Sequence, residues 1–185
     1  SAGERCMAVS VAVAVGNIAD NLVKEISTKA QSLKVAPWTD ENSQMGPLIS
    51  KDHKNKVINY INEGLKENAS IIIDGRSINI QGYEDGYFIG PTIFDNVNKG
   101  MKIYKEEIFG PVLSIVRANN FTEAINLVND HQFGNGTSIY TSDGKTSREF
   151  TEKAKIGMVG VNVPIPVPMA FHSFGGWKQS LFGDY

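Results

Sequence analysis

The sequence contains one cysteine, Cys6, in surroundings that favour a reactive thiol. It follows a glycine-containing turn, Arg5 precedes it directly, and residues 7–10 could form one or two helical turns. A sulfur at a helix N-terminus beside a guanidinium is stabilised as a thiolate, which would lower the pKa of the Cys6 thiol. Because a thiolate attacks carbonyl carbon, the residue is a candidate nucleophile. The alternative is a buried structural cysteine.

A second segment with chemical potential lies far downstream of the cysteine. Residues 105–112 read Lys-Glu-Glu-Ile-Phe-Gly-Pro-Val, which places the acids Glu106 and Glu107 on a turn that leads directly into an apolar strand. Taken alone, the segment is also consistent with a solvated acidic turn before an edge strand.

The three histidines are weaker candidates for chemistry. His53 falls in a polar helical stretch and is predicted to lie on the surface, and His131 ends a predicted helix, where a cation complements the dipole. His172 neighbours the loop that follows a run of prolines. Their spacing does not match a metal site, so we predict no bound metal and assign no Cys-His dyad.

The elements that must position these residues follow an α/β pattern, in which apolar β-branched stretches alternate with longer amphipathic ones. We therefore predict an α/β fold with a mostly parallel twisted sheet flanked by helices. The predicted strands are 12–15, 70–73, 92–94, 112–116, 137–141 and 158–161, and the predicted helices are 19–33, 51–68, 122–129 and 145–155. Thr122-Glu123 and Ser142-Asp143 supply capping or acidic residues where the last two helices begin. We expect one domain over residues 1–185.

Composition excludes several classes of function. The 185 residues carry 18 Lys plus Arg against 20 Asp plus Glu, a net charge of -2, without a basic run that would track nucleic acid. No apolar run approaches the roughly 20 residues that span a bilayer. A single cysteine indicates a reducing compartment, the cytoplasm or the mitochondrial matrix of a eukaryote. Because Ser1 to Cys6 contains no initiator Met or signal-type cleavage site, we expect the chain to begin inside a longer protein.

Several motifs occur in the order in which the aldehyde dehydrogenase superfamily has them. They are Gly-Glu-Arg-Cys at 3–6, Gly-Pro-Leu-Ile at 46–49, Gly-Pro-Thr at 90–92, the acidic segment at 105–112, and Phe-Gly-Gly-Trp-Lys at 174–178. Over essentially its whole length, the sequence therefore resembles the catalytic domain of that superfamily. Within it, residues 4–8, 104–112, 133–137 and above all the proline-rich run 160–168 most resemble the CoA-acylating methylmalonate-semialdehyde dehydrogenase subfamily.

The resemblance implies a catalytic role for Cys6. Its thiolate would attack the aldehyde, hydride would pass to NAD, and the resulting thioester would be transferred to coenzyme A, with loss of CO2 and release of propionyl-CoA or acetyl-CoA. Glu107 matches the acid that binds the nicotinamide-ribose hydroxyls, which suits a carboxylate that can accept from both. Phe109 matches the aromatic residue beside the nicotinamide, and a core position is its alternative.

Two further residues are implied to bind substrate. Arg5 could hold the carboxylate of a semialdehyde in bidentate fashion, whereas its alternatives are to pair with Glu4 or to tune the thiol. Phe171, in the loop after the prolines, could line the aldehyde pocket or serve packing alone.

The family pattern also implies parts that this chain does not contain: a preceding NAD-binding domain, the Asn of the oxyanion hole, the position of a hydrolytic Glu, and a C-terminal arm. We therefore expect residues 1–185 to be a catalytic-domain fragment with little dehydrogenase activity alone. We expect a small-molecule semialdehyde substrate and a full-length homodimer or homotetramer, without nucleic-acid or membrane partners. The alternatives are a non-acylating, hydrolytic aldehyde dehydrogenase, a Cys-dependent hydrolase or acyltransferase, and a non-catalytic structural domain.

Overall fold

The computed structural model describes residues 1–164 and 167–183, so residues 165–166 of the proline-rich run lie outside the described residues. The chain forms two compact units, residues 1–117 and 118–185. The first contains β1 (Val11–Val15), α1 (Ala19–Gln31), α2 (Lys51–Lys66), β2 (Ser70–Ile73), β3 (Thr92–Asp95), α3 (Lys102–Lys105) and all but the last residue of β4 (Val112–Ala118). The second contains α4 (Phe121–Asp130), β5 (Phe133–Gly134), β6 (Gly136–Ile139), α5 (Gly144–Lys153), β7 (Met158–Val161) and β8 (Trp177–Lys178).

A four-stranded sheet in the order β1-β4-β3-β2 forms the frame of the first unit. β3 pairs in parallel with β4, Thr92 opposite Val112, whereas β2 pairs antiparallel with β3. Every residue of β3 is buried, as expected of a strand covered on both faces. The sheet is therefore mixed, and together with the helices that flank it this confirms the predicted α/β fold class.

Helices cover the two faces of this sheet. Adjacent strand residues point to opposite faces of a sheet, so Ile93 lies on one face and Phe94 on the other. Ile93 belongs to a buried cluster that the apolar residues of α1 pack against. Phe94 meets α2 at Gly64, where an added Cβ atom would lie 3.0 Å from the phenyl ring. Close packing of α2 against β3 at that position therefore favours glycine.

The second unit consists of two helices and two small strand pairs. β6 and β7 pair in parallel, with Gly136 opposite Met158, and β5 pairs antiparallel with β8. Asn120 caps α4 by accepting a hydrogen bond from the Glu123 amide at 3.0 Å. Thr122 is inside the helix because α4 begins at Phe121.

Predicted and observed elements agree closely in their positions. All six predicted strands and all four predicted helices are present, with ends displaced by at most two residues, and the strands Ser70–Ile73 and Met158–Val161 have the predicted bounds. Asp143 caps α5, as predicted, by accepting from the amides of Lys145 and Thr146. The short elements α3, β5 and β8 were not predicted, because two to four residues carry no readable periodicity.

Among the described residues, the helices are too short or too polar for any of them to cross a membrane.

Candidate functional site

The prediction of a helix after Cys6 is wrong. Residues 5–8 form a turn, closed by a hydrogen bond of 3.0 Å from the Ala8 amide to the Arg5 carbonyl, and residues 8–10 continue without regular structure into β1. Ser10 is drawn to the sheet, because its carbonyl accepts from the Ser114 amide of β4 at 3.0 Å. Too few residues remain between Cys6 and the sheet to nucleate a helix. Cys6 is exposed on this turn, which contradicts the alternative of a buried structural cysteine.

The acidic segment ends in a turn that presents two side chains. Ile108 is buried, at 3% exposure, whereas its neighbours Glu107 and Phe109 are both exposed. The buried residue anchors the turn and leaves the carboxylate and the ring on its outside. Phe109 has a φ of 59°, in the left-handed region, which costs a non-glycine residue about 1 kcal/mol or more. Its exposure of 36% contradicts a core position for Phe109.

These two turns, distant in sequence, meet in the first unit. Gly3 has a φ of 75°, and a Cβ atom added to it would overlap the carbonyl oxygen of Gly110. From there the two segments run side by side toward the contact between Ser10 and Ser114. Each turn immediately precedes a strand, β1 or β4, and these strands are neighbours in the sheet. The sheet therefore brings the cysteine turn, residues 3–8, against the turn of residues 107–111.

His53 of α2 contacts both turns. Its Nε2 atom lies 2.6 Å from the Phe109 carbonyl oxygen and 3.4 Å from Oε1 of Glu4. The same Glu4 oxygen accepts from the Ile49 amide at 3.2 Å. The His53 side chain is 15% exposed, so it is half-buried rather than freely exposed on the surface. The sequence did not predict this contact, because His53 and Phe109 are 56 positions apart and no local pattern links them.

The two adjacent acids have different surroundings. Glu106 accepts a hydrogen bond of 2.6 Å from the Tyr60 hydroxyl of α2. Burial, together with this hydrogen bond and the Glu106 charge, raises the pKa of Tyr60 to about 12. Glu107 is exposed and has no hydrogen-bond or ion-pair partner in residues 1–164 and 167–183. Glu106 therefore ties its turn to α2, whereas the Glu107 carboxylate is available to a ligand.

Arg5 is also available. It is exposed and forms no ion pair with any residue that the structure describes. Glu4 does not pair with it, because the Glu4 carboxylate is directed to His53 and Ile49. That arrangement contradicts the alternative in which Arg5 merely neutralises its neighbour.

Phe171 belongs to the second unit, on the loop that follows the proline-rich run. Its side chain is 78% exposed and its ring lies 4.6 Å from that of His172, centroid to centroid. Asn162 fixes the start of this loop, because its side chain accepts from the amide of Thr141 and donates to the carbonyl of the same residue, each at 2.9 Å. A substrate-binding role for Phe171 stays a prediction.

The other two histidines also lie in the second unit. Nδ1 of His131 accepts from the Phe133 amide at 3.1 Å, so in this arrangement Nδ1 carries no proton. His131 follows the last residue of α4, as predicted.

Comparison with known proteins identifies relatives along the whole chain. The sequence profile of the aldehyde dehydrogenase family matches residues 1–185. A malonate-semialdehyde dehydrogenase of Pseudomonas aeruginosa is 51% identical over 185 residues, which are 100% of this chain and 37% of the relative. One of Halalkalibacterium halodurans is 47% identical over 184 residues, 100% of this chain and 38% of the relative. The chain thus spans less than two fifths of the length of these relatives.

Solved structures agree with the sequence comparison. A Sinorhizobium meliloti protein complexed with NAD superposes with a TM-score of 0.97 and is 53% identical, over 100% of this chain and 38% of its own. Methylmalonate-semialdehyde dehydrogenase of Oceanimonas doudoroffii gives 0.96 at 51% identity, with the same coverage. Betaine aldehyde dehydrogenase of Staphylococcus aureus in complex with NAD+ gives 0.91 at 30% identity, over 96% of this chain and 35% of its own.

Proposed function

This chain belongs to the aldehyde dehydrogenase family, and we propose that it is the cysteine-bearing catalytic domain of an NAD-dependent, CoA-acylating methylmalonate- or malonate-semialdehyde dehydrogenase. The observation that carries the proposal is the meeting of the exposed Cys6 turn with the turn that presents Glu107 and Phe109. A nucleophile and a ribose-binding carboxylate must be neighbours if an aldehyde held by the first is to transfer hydride to a nicotinamide held by the second.

Cys6 would supply the covalent chemistry. Its thiolate adds to the aldehyde carbon to form a thiohemiacetal, and loss of hydride from that carbon leaves an acyl thioester on the sulfur. The thiolate of coenzyme A then attacks the thioester carbonyl, and the acyl group leaves with CoA while Cys6 regains its thiolate. The carboxylate of the semialdehyde is lost as CO2 and a proton takes its place on the same carbon, so methylmalonate semialdehyde gives propionyl-CoA and malonate semialdehyde gives acetyl-CoA.

NAD, when bound, supplies the hydride acceptor. The residues present fit it, because the Glu107 carboxylate is exposed without a partner in the described part of the chain and can accept from both ribose hydroxyls. The exposed Phe109 ring offers an apolar surface beside the nicotinamide. Neither residue breaks or makes a bond, and their proposed role is to position the ring.

Arg5 would select a substrate that carries a carboxylate. Its guanidinium is exposed, has no ion-pair partner among the described residues and is adjacent in sequence to the nucleophile. A planar guanidinium binds a carboxylate through two parallel hydrogen bonds, which fixes both the charge and its orientation. Phe171 is proposed to contribute an apolar wall to the aldehyde site.

The names of the relatives support the substrate class, and their bacterial sources support a cytoplasmic location. Resemblance to the CoA-acylating subfamily favours coenzyme A as acyl acceptor and a homodimer or homotetramer at natural length.

The test uses the protein at its natural length, supplied with NAD, coenzyme A and methylmalonate semialdehyde. We expect NADH and propionyl-CoA to form together, in equal amounts, and neither to form with Cys6→Ala. A protein that makes no NADH from the semialdehyde, yet oxidises a simple aliphatic aldehyde without CoA, would instead be a hydrolytic member of the family. Ester hydrolysis that requires Cys6 but no NAD would indicate a Cys-dependent hydrolase.

A further inference from the structure

His53 stands at the junction of the two turns that form the candidate site. It is the third residue of α2, and its amide is bonded at 3.1 Å to Ser50, which caps the helix. Its ring approaches the ring of Phe109 edge-on, with centroids 6.5 Å apart. The side chains of His53 and Glu4 are 15% and 16% exposed, so their contact is largely shielded from solvent.

The geometry defines which ring nitrogen carries a proton. A carbonyl oxygen only accepts hydrogen bonds, so Nε2 of His53, 2.6 Å from the Phe109 carbonyl oxygen, must carry hydrogen and donate it. The same nitrogen lies 3.4 Å from Oε1 of the Glu4 carboxylate, so this edge of the ring contacts both turns. Because it carries hydrogen, Nε2 cannot act as a base toward Cys6.

We propose that His53 is a positioning residue that couples the orientation of Cys6 to that of Glu107 and Phe109. This inference deepens the proposed function, on which it rests, and assigns no bond chemistry to the imidazole. His53 binds the carbonyl of Phe109, whose backbone has a left-handed conformation, and through Glu4 it restrains the residues that precede Cys6.

Two other contacts make the coupling stiff. Gly3 and Gly110 approach so closely that no side chain fits between the two backbones. Glu4 also accepts from the Ile49 amide, just before α2 begins, so the cysteine turn is tied to the start of this helix at two points. A shift in either turn therefore displaces α2 or breaks the His53 contact, and both nucleophile and ribose-binding group are affected together.

The experiment compares three substitutions at His53 in the natural-length protein. His53→Ala removes the donor, His53→Leu removes it while filling the space, and His53→Gln keeps an amide N–H that can reach the position of Nε2. Asn55→Ala is the control, because Asn55 is exposed on the same helix and its side chain has no hydrogen-bond partner within the described ranges. Two quantities are measured: the KM for NAD with kcat, and the alkylation rate of Cys6 by iodoacetamide without NAD, followed by mass spectrometry of its peptide.

We expect His53→Ala and His53→Leu to raise the KM for NAD by about tenfold, the effect of one lost hydrogen bond, and to change the alkylation rate of Cys6 at least about threefold. His53→Gln should restore both quantities to near the wild-type values, and Asn55→Ala should change neither. His53→Leu keeps the test informative if the alanine variant fails to fold.

A folded His53→Leu protein with an unchanged KM for NAD and an unchanged alkylation rate would overturn the coupling. If His53→Gln changed the KM for NAD and the alkylation rate of Cys6 as much as His53→Leu does, the coupling would also be overturned, because the hydrogen-bond donor would then not be responsible for it. A wild-type protein that forms no NADH, yet whose Cys6 alkylation still responds to His53→Leu and recovers in His53→Gln, would contradict the proposed function and leave the coupling supported.

Discussion

At the scale of single residues, the candidate site depends on which side chains are exposed and which are already engaged. Cys6, Arg5 and Glu107 are exposed, whereas Glu4 and Glu106 are held by His53 and Tyr60. Adjacent residues of similar type thus have different roles. This separation yields two predictions with matched controls.

The first prediction concerns Glu107. Glu107→Gln should raise the KM for NAD by about tenfold, because a neutral amide accepts more weakly from the ribose hydroxyls than a carboxylate does. Glu106→Gln should leave that KM unchanged, since its amide oxygen can still accept from Tyr60. Steady-state kinetics of the natural-length protein provide the measurement. Equal effects of the two substitutions would argue against a specific role for Glu107.

The second prediction concerns substrate selection by Arg5. Arg5→Met should raise the KM for a carboxylate-bearing semialdehyde by about 10- to 100-fold, the effect of losing charge-assisted hydrogen bonds. The KM for an aliphatic aldehyde of similar length should change little, and Arg5→Lys should recover only part of the loss because it cannot bind in bidentate fashion. If both aldehydes were affected equally, Arg5 would act on the thiol rather than on the substrate.

At the scale of elements, the site depends on a close backbone contact and on the ties between strands and helices. Gly3 and Gly16 both have a positive φ, at 75° and 66°, but only Gly3 lies against another backbone. Arg117 of β4 binds Asp95 of β3 at 2.7 Å and Asp20 of α1 at 2.8 Å. Each of these features can be tested separately by its effect on stability.

The third prediction uses the two glycines as a pair. Gly16→Ala should lower the free energy of unfolding by about 1 kcal/mol, the cost of a left-handed alanine with space around it. Gly3→Ala should cost at least about 3 kcal/mol, because overlap with the Gly110 carbonyl is added to that strain. Urea unfolding measures both values. Equal losses would mean that the two turns are not in contact.

The fourth prediction concerns the ion pair within the sheet. Burial raises the pKa of Asp95, but the hydrogen bonds from Arg117 and from the Asn96 amide, together with the Arg117 charge, outweigh it and hold that pKa below its usual range. Arg117→Met leaves this carboxylate, 5% exposed, with the Asn96 amide but without its ion-pair partner, and should lower the free energy of unfolding near neutral pH. Lys66→Met, which breaks an exposed pair with Glu63, should lower the free energy of unfolding much less, because solvent screens that pair.

The pH dependence of the fourth prediction has a defined sign. Because the folded-state pKa of Asp95 is lowered, its contribution to stability is present above the unfolded-state pKa, near 4, and is lost as pH falls through the folded-state value. The difference in stability between wild type and Arg117→Met should therefore shrink below about pH 4. A difference that stays constant down to strongly acidic pH would contradict the assignment.

At the scale of the whole molecule, much of the framework could be predicted from the sequence. The alternation of apolar and amphipathic stretches located the strands and helices, since those patterns follow from burial on a sheet. The motifs around Cys6 and Glu107 identified the two turns of the candidate site. Contacts between distant residues could not be read in this way. His53 and Phe109 lie 56 positions apart, and nothing near either residue indicates the other.

The wrong prediction at Cys6 has a similar cause. Residues 7–10 are compatible with a helical turn when considered locally, but the hydrogen bond from Ser114 to Ser10 draws their end toward β4. Tertiary pairing thus overrides local propensity. The nucleophile is presented on a turn, and its surroundings are set by the neighbouring segment and α2 rather than by a helix of its own.

The most direct measurement is of the Cys6 adduct. The natural-length protein is mixed with NAD and methylmalonate semialdehyde in the absence of coenzyme A. The reaction is quenched in acid, the protein is digested, and the mass of the peptide that contains Cys6 is determined by mass spectrometry. We expect one acyl group on Cys6, formed together with one equivalent of NADH and removed as acyl-CoA when coenzyme A is added before the quench. NADH formation with an unmodified Cys6 under these conditions, or undiminished turnover by Cys6→Ala, would contradict the assignment of Cys6 as the nucleophile.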